Sequence, residues 1–94
     1  MIQSFGDVVT FELFEHGETP DKGCGWEDVA DVAERKLDML DAAEELTDLY
    51  TPPGNRFESV EGDWYTIRIN DQWRIKFQGD DGDAELAHIC DPHD

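Results

Sequence analysis

Residues 26–48 carry two interleaved series of side chains that repeat every three or four positions. One series consists of seven carboxylates: Glu27, Asp31, Glu34, Asp38, Asp41, Glu45 and Asp48. The other series is apolar: Trp26, Ala30, Ala33, Leu37 and Leu40. On an α-helix this spacing puts each series on one face, with the two faces roughly 140° apart. The pattern predicts a helix from about Trp26 to at least Ala43, with one face on a core and one row of negative charge.

The acidic row destabilises the helix that carries it. Like charges three or four positions apart destabilise a helix by about 0.2–0.5 kcal/mol per pair. Carboxylates near the carboxyl end of a helix also face the negative end of its dipole, which disfavours Glu45 and Asp48 there. Two explanations for the row stay open: a face that only meets solvent, and a surface that binds a basic partner.

The net charge makes nucleic acids and anionic membranes poor direct ligands for this chain. Asp and Glu number 24 against 7 Lys and Arg, which gives a formal charge of −17. Binding to DNA or RNA is driven largely by cations that displace condensed counterions, and that contribution is unfavourable over most of this surface. A basic protein partner is favoured instead, because long-range attraction would steer it. Excess carboxylates with few lysines are also typical of proteins from a high-salt cytoplasm.

Length and hydropathy limit the classes of protein to which this chain can belong. The 94 residues suffice for one domain over 1–94, and a hydrophobic content of 38% suffices for a core. No apolar run approaches ~18 residues, and the first residues lack the basic and apolar regions of a signal peptide. A cytoplasmic protein is therefore expected. Cys24 and Cys90 could pair, although two free thiols fit a reducing cytoplasm better.

The second half of the chain changes to a period of two. Alternation of apolar and polar residues predicts three strands, over 64–69, 73–78 and 84–89, with turn signals at Asn70-Asp71 and at 79–82. In the first half, 2–5 resembles a short edge strand, and 8–14 fits either a strand or a helix. The predicted fold class is therefore α+β, with a small antiparallel meander packed against N-terminal helices.

Two motifs resemble the HigB branch of the RelE/ParE toxin superfamily. They are PPGNR at 52–56 and IRINDQWRI at 67–75. The resemblance extends to Ser4-Phe5, to residues 35–43 of the long helix, and to the terminal Asp91-x-His93. The family fold has two N-terminal helices and a small antiparallel sheet, which favours a helix for 7–15. Members of the family are typically basic, ribosome-dependent mRNA endoribonucleases paired with an antitoxin.

The resemblance implies a catalytic set of Arg68, Arg74, Asp91 and His93. Cleavage of RNA by the 2′-hydroxyl needs a base, an acid and cations for the phosphorane charge. Three positions depart from the family pattern, since Glu61, Gln78 and Pro92 stand where the family places Lys, Arg and Tyr. A carboxylate in place of a phosphate-facing cation reverses an interaction of about 4 kcal/mol at about 4 Å. The active site is therefore expected to be degenerate.

Three other groups of residues suggest alternative chemistry. His88, Cys90, Asp91 and His93 could bind a metal, although the end of a strand with a half-buried histidine explains them more simply. His16 and Cys24 could supply a nucleophile, but nothing in the sequence fixes their proximity. The aromatic residues Trp64, Tyr65 and Trp73 could stack on bases, but without surrounding cations core packing of Trp73 and partial exposure of Trp64 are favoured. No metal or cofactor is expected.

The leading hypothesis from the sequence is a non-enzymatic inhibitor built on a HigB-like fold. Its acidic row would imitate a phosphate backbone and occupy the nucleic-acid-binding surface of a basic protein, for example a subunit of a CRISPR effector, as anti-CRISPR proteins do. The alternative is an active mRNA endoribonuclease toxin that uses Arg68, Arg74 and His93, with the ribosome and an antitoxin as partners. A third hypothesis is an inactive toxin relative that still binds an antitoxin.

Overall fold

The computed structural model describes residues 1–19, 25–80 and 82–92, in which two α-helices precede an antiparallel sheet of four strands. The helices are α1 (Val8–His16) and α2 (Ala30–Ala42). The strands are β1 (Glu58–Glu61), β2 (Trp64–Arg68), β3 (Arg74–Asp80) and β4 (Asp83–Cys90), and they pair in chain order. Short 3₁₀ helices cover Glu27–Val29, Leu46–Tyr50 and Pro53–Asn55. The α+β class and the meander predicted from the sequence are confirmed.

The segment with an ambiguous pattern near the amino terminus forms α1. The Asp7 carboxylate caps the helix by accepting from the Thr10 N–H at 2.8 Å, and Gly17 ends it in the left-handed region at φ 66°. Thr10 and Leu13 are buried, so one face of the helix packs on the core. The predicted strand at 2–5 is limited to two isolated parallel bridges on β4, from Ile2 to Ala84 and from Phe5 to Ala87.

Helix α2 ends before the last two carboxylates of the acidic row. Ala43 is extended at φ −65° and ψ 131°, so Glu45 and Asp48 belong to the following 3₁₀ helix and not to α2. The Asp48 carboxylate accepts from the backbone N–H groups of Glu44 and Glu45, at 3.0 and 3.1 Å, in a capping box. The acidic row therefore does not lie on one continuous helix, because capping starts a new helical segment after Ala43.

The sheet has one face on the core and one open face. Ile67, Ile75, Phe77, Ala87 and Ile89 are buried in a hydrophobic cluster with Leu13, Leu37 and Leu40 of the helices. Because successive side chains of a strand point to opposite faces, the residues between these positions lie on the open face. Strand β1 was not predicted, and it joins β2 through a hairpin turn in which Gly62 has φ 59°.

The PPGNR motif holds α2 against the loop that follows it. Asn55 is fully buried, and its side-chain amide donates to the Leu49 carbonyl at 3.1 Å. Its side-chain oxygen accepts from the ammonium of Lys36, a helix residue that is only 9% exposed. Burial lowers the pKa of Lys36, and the positive charge of Arg35 lowers it further. This motif therefore acts in the packing of the fold.

Candidate functional site

The open face of the sheet brings polar residues of three strands into two cross-strand rows. Thr66 pairs with Lys76, which pairs with His88, and the next row joins Arg68, Arg74 and Cys90. Residues directly opposite one another on neighbouring strands share a face and lie close together. The register therefore assembles a set of side chains that are up to 24 positions apart in the sequence.

This face concentrates the positive charge of an otherwise acidic chain. Of the seven Lys and Arg residues, Arg68, Arg74 and Lys76 lie here. Elsewhere, Arg35 is exposed on α2 and Lys36 is buried in the core. Carboxylates lie around these cations: Glu58 is opposite Thr66, Glu85 is opposite Gln78, Asp71 pairs with Arg68, and Asp91 accepts from Gln72. We refer to Arg68, Arg74 and Lys76 as the cationic cluster.

The turn between β2 and β3 positions the two arginines. The Asn70 side-chain oxygen accepts from the N–H groups of Gln72 and Trp73, at 2.9 and 2.7 Å, which closes an Asx turn. The Arg74 guanidinium donates to the carbonyls of Asn70 and Trp73, while the Arg68 guanidinium pairs with Asp71. The Asp71 side chain is 96% exposed, so water weakens this ion pair and the Arg68 guanidinium can exchange it for another anion. The IRINDQWRI motif therefore builds a turn that presents two guanidinium groups at one edge of the open face.

Lys76, Trp64 and His88 form the other half of the face. The Lys76 ammonium lies 5.4 Å from the centre of the Trp64 ring, within range of a cation–π interaction. The His88 ring meets the Trp64 ring edge-on, with centroids 6.3 Å apart. His88 Nδ1 lies 2.9 Å from the Leu86 carbonyl oxygen, which only accepts hydrogen bonds. In the neutral ring Nδ1 therefore carries the proton, and Nε2 has the lone pair that a general base needs.

A cavity of about 330 Å³ opens beside these side chains, lined by Val60, Thr66, Lys76, His88, Cys90, Asp91 and Pro92. Burial raises the pKa of the Cys90 thiol, and the negative charge of Asp91 adds to this effect, while Lys76 and Arg74 oppose it. The thiol is therefore protonated at neutral pH and is a poor nucleophile. Within the described residues, no group of three or more His, Cys, Asp or Glu side chains is arranged to hold a metal ion.

Comparison with known proteins decides the family. A family model described as the RelE-like toxin of the type II toxin–antitoxin system HigB matches residues 3–93. The chain belongs to the HigB-like toxin family. Toxin HigB-1 of Vibrio cholerae is 53% identical over 62 residues, a stretch that covers 63% of this chain and 64% of that protein, slightly less than two thirds of its length. An uncharacterized protein of Haemophilus influenzae is 31% identical over 94 residues, covering 97% of this chain and 90% of that protein.

Membership of the HigB-like toxin family corrects the leading functional hypothesis. The hypothesis of an anti-CRISPR inhibitor is wrong, because the family model describes a toxin of a type II toxin–antitoxin system and the similar V. cholerae protein is also a toxin. A CRISPR effector subunit as partner has no support from these comparisons. Binding of a partner by the acidic row stays a prediction. Asp41, one of its members, accepts a hydrogen bond from the Ile2 N–H at 3.0 Å and so contributes to the fold.

The HigB-like catalytic residues predicted from the sequence are partly brought together. Arg68 and Arg74 are neighbours across β2 and β3, and Asp91 follows β4 and accepts from the Gln72 side chain at 3.0 Å. His93 and Cys24 lie outside the described residues, so the choice between a Cys24–Cys90 pair and two free thiols, and the placing of Cys24 beside His16, stay predictions.

The three departures from the family pattern occupy different parts of the site. Glu61 is exposed at the end of β1, and Pro92 lines the cavity beside Asp91. Gln78 lies on the open face, where its side-chain amide donates to the Asp63 carboxylate at 3.0 Å. Sequence reasoning missed Lys76 as a site residue, although its alternation with Arg74 and Gln78 already put the three on one face of a strand.

Among the described residues, none of the helices has the length and apolar character that crossing a membrane requires.

Proposed function

We propose that this chain is the toxin of a type II toxin–antitoxin pair and that it cleaves mRNA on the ribosome with the open face of its sheet. The observation that carries the proposal is the cationic cluster. In a chain with a formal charge of −17, three of seven cations lie on one face beside an imidazole. Chance placement of so few cations on so acidic a chain would scatter them, whereas binding of a phosphate requires them together.

The side chains present can support cleavage by the 2′-hydroxyl. In this scheme the 2′-oxygen attacks the adjacent phosphorus, its proton passes to His88 Nε2, and the P–O5′ bond breaks. The guanidinium groups of Arg68 and Arg74 and the Lys76 ammonium stabilise the negative charge that develops on the phosphorane oxygens. The leaving 5′-oxygen takes up a proton from an acid, and His93 is the family-derived choice for that role.

Lys76 supplies a positive charge in a site where two of the family's cations are missing. Glu61 and Gln78 replace two family cations, which removes positive charge from the surroundings of the phosphate. Lys76 stands two residues from Gln78 on the same strand and face, within the same row as His88. We assign it the part of the missing cation, so that the site keeps three positive charges with a different arrangement.

The acidic helix does not prevent RNA from reaching the sheet. Helix α2 packs on the core face of the sheet, so its exposed carboxylates and the cationic cluster lie on opposite sides of the core. At physiological ionic strength charges are screened over about 8 Å, less than the roughly 10 Å between packed layers of secondary structure. A bound phosphate therefore experiences the nearby cations more strongly than the distant carboxylates.

The decisive experiment is a cleavage assay with matched charge-neutralising variants. Purified protein is added to ribosomes programmed with a defined mRNA, and cut sites are mapped by primer extension. We expect the wild type to cut, Arg74→Gln to lose about 100-fold or more in rate, and Arg35→Gln to cut like the wild type, since removing one transition-state donor costs about 10²–10³. Absence of cutting by the wild type on programmed ribosomes at any salt concentration would overturn the proposal.

The partner expected from this proposal is a protein antitoxin. Induced expression of the chain alone should arrest growth, and co-expression of the gene next to it should relieve the arrest. The Arg74→Gln variant should cause little arrest while still binding that antitoxin. Growth that continues unchanged when the folded wild type accumulates would contradict the toxin assignment.

A further inference from the structure

One aromatic residue on the open face has no part in the core and none in the phosphate chemistry. Trp64 is half-buried on β2, beside the cationic cluster, with the Lys76 ammonium over its ring and the His88 ring at its edge. We propose that Trp64 is a stacking platform for one nucleobase of the RNA, next to the phosphate that is cut. This inference deepens the proposed function and rests on it.

The structure separates Trp64 from the other aromatic residues of the sheet region. Tyr65 points to the core side, where its ring lies parallel to those of Phe77 and Phe57, with centroids 5.9 and 5.3 Å away. Trp73 is partly buried against the hydrophobic core. Trp64 alone among these three extends over the face that carries the cations, because its neighbour across the sheet is Gln78 and its other neighbours are polar. Core packing therefore explains two of the three rings but not the Trp64 ring, which contacts Lys76 and His88.

The cations that single-strand binding needs are present around this ring. Binding of single-stranded RNA combines aromatic platforms with positive charge that follows the backbone, and each stacked base contributes substantially to affinity. In the sequence alone no cations surround Trp64, whereas the register of β2 and β3 puts Lys76 one row from Trp64 and Arg74 two rows from it. A base on the Trp64 ring would leave its 3′ or 5′ phosphate within reach of these groups.

The geometry also favours a class of base. A larger ring system gains more contact on an indole platform, so a purine should stack better than a pyrimidine. The cavity of about 330 Å³ is lined by Lys76 and His88, the two residues that contact the Trp64 ring, and it lies beside the proposed platform. We therefore expect the wild type to cut faster where a purine occupies the stacking position than where a pyrimidine does.

The test measures cleavage preference on programmed ribosomes with mRNAs that carry a purine or a pyrimidine at each position around the cut site. Trp64→Leu should lower the rate at the purine-containing site by about 10-fold and bring the purine-to-pyrimidine rate ratio close to one, because an aliphatic side chain offers no π-face. Trp64→Phe should retain part of the rate at the purine-containing site and part of the preference for a purine. Trp73→Phe is the matched control, since it makes the same substitution in a ring that packs on the core.

The two substitutions should separate stability from preference. Trp73→Phe should lower the thermal unfolding midpoint and keep the wild-type rate ratio, whereas Trp64→Phe should change the ratio and leave the midpoint nearly unchanged. If Trp64→Leu does not fold, the Trp64→Phe and Trp73→Phe pair decides the question. A wild-type rate ratio in folded Trp64→Leu or Trp64→Phe overturns the stacking platform alone, whereas a wild type that cuts no mRNA overturns the proposed function and the platform with it.

Discussion

The open face of the sheet and the exposed face of α2 show how differently charge is arranged in one chain. The sheet gathers three cations from β2 and β3 beside His88 of β4, while the helix carries a spaced row of carboxylates. The row is more conspicuous in the sequence, because helical periodicity displays it in a single segment. The cluster is inconspicuous there, because its members become neighbours only through strand register.

The comparison shows that net charge is a weak guide to what a small protein binds. A formal charge of −17 sums over the whole surface, whereas a ligand meets a local arrangement within a few ångströms of its atoms. The carboxylates of the acidic row face solvent or accept hydrogen bonds from backbone groups, whereas on the sheet Lys76 lines a cavity. The local arrangement is therefore the better basis for a functional proposal.

The largest expected effect comes from reversing one charge on each surface. Lys76→Glu and Arg35→Glu change the net charge equally, but only Lys76 belongs to the cationic cluster. We expect Lys76→Glu to lower the single-turnover rate of mRNA cleavage by more than about 100-fold, and Arg35→Glu to change it by less than about 2-fold. Both variants should unfold at midpoints close to that of the wild type, as measured by circular dichroism.

An equal loss in the two variants would show that net charge governs activity, and the distinction between the two surfaces would then be lost. Equal retention would remove Lys76 from the proposed site.

A smaller effect distinguishes two members of the acidic row. The half-buried Asp41 accepts a hydrogen bond from the Ile2 N–H, whereas Asp38 is exposed on the same helix. We expect Asp41→Ala to lower the free energy of unfolding by about 1 kcal/mol, since it removes a charge-assisted hydrogen bond. Asp38→Ala should change it by a few tenths of a kcal/mol or stabilise slightly, because alanine favours helix and like-charge repulsion falls.

Urea unfolding of the two alanine variants measures this difference, and cleavage should be unaffected in both. Equal destabilisation would mean that the row acts as one structural unit, contrary to the geometry.

The smallest effect concerns Lys36, which is buried on α2 next to the exposed Arg35. Its folded pKa is lowered by burial, so in the alkaline range just below the ordinary lysine pKa the unfolded chain binds more protons than the folded one. Stability therefore rises with pH in that window because of this residue. In Lys36→Met that contribution is absent, although loss of the contact with Asn55 should lower its stability at every pH.

The free energy of unfolding of both proteins, measured by urea titration from neutral pH to about pH 10, tests this sign. As pH rises, the free energy of unfolding of the wild type should increase relative to that of Lys36→Met. A difference that is constant with pH would show that the Lys36 ammonium is solvated in the folded protein.

Local periodicity predicts α2 and three of the four strands of the meander, and the family resemblance favours a helix for 7–15, where the structure has α1. Other features depend on interactions that a linear pattern does not contain. Strand β1 has four exposed residues, so it shows no alternation of burial. Helix α2 ends at Ala42, and Asp48 caps a new helical segment within the acidic row, which the regular three-to-four spacing does not reveal.

The candidate site was predictable only in part for the same reason. Arg68 and Arg74 came from a motif, but the position of Lys76 beside His88 follows from the pairing of β3 with β4 and its bulge between Lys76 and Gln78. A bulge inserts a residue and changes which side chains are opposite one another. The neighbours of Lys76 could therefore not be assigned by counting residues.

The most direct test of RNA binding by the open face of the sheet is to map where RNA binds on the folded protein. A short single-stranded RNA with 2′-O-methyl groups, which prevent attack by the 2′-hydroxyl, is titrated into isotopically labelled protein at low salt while backbone amide shifts are recorded. We predict shifts concentrated in Trp64–Arg68, Arg74–Gln78 and His88–Asp91, with α2 unchanged, and their loss in Lys76→Glu. Shifts centred on α2, or no shifts at millimolar RNA, would contradict the claim that the cationic face of the sheet is the surface that meets RNA.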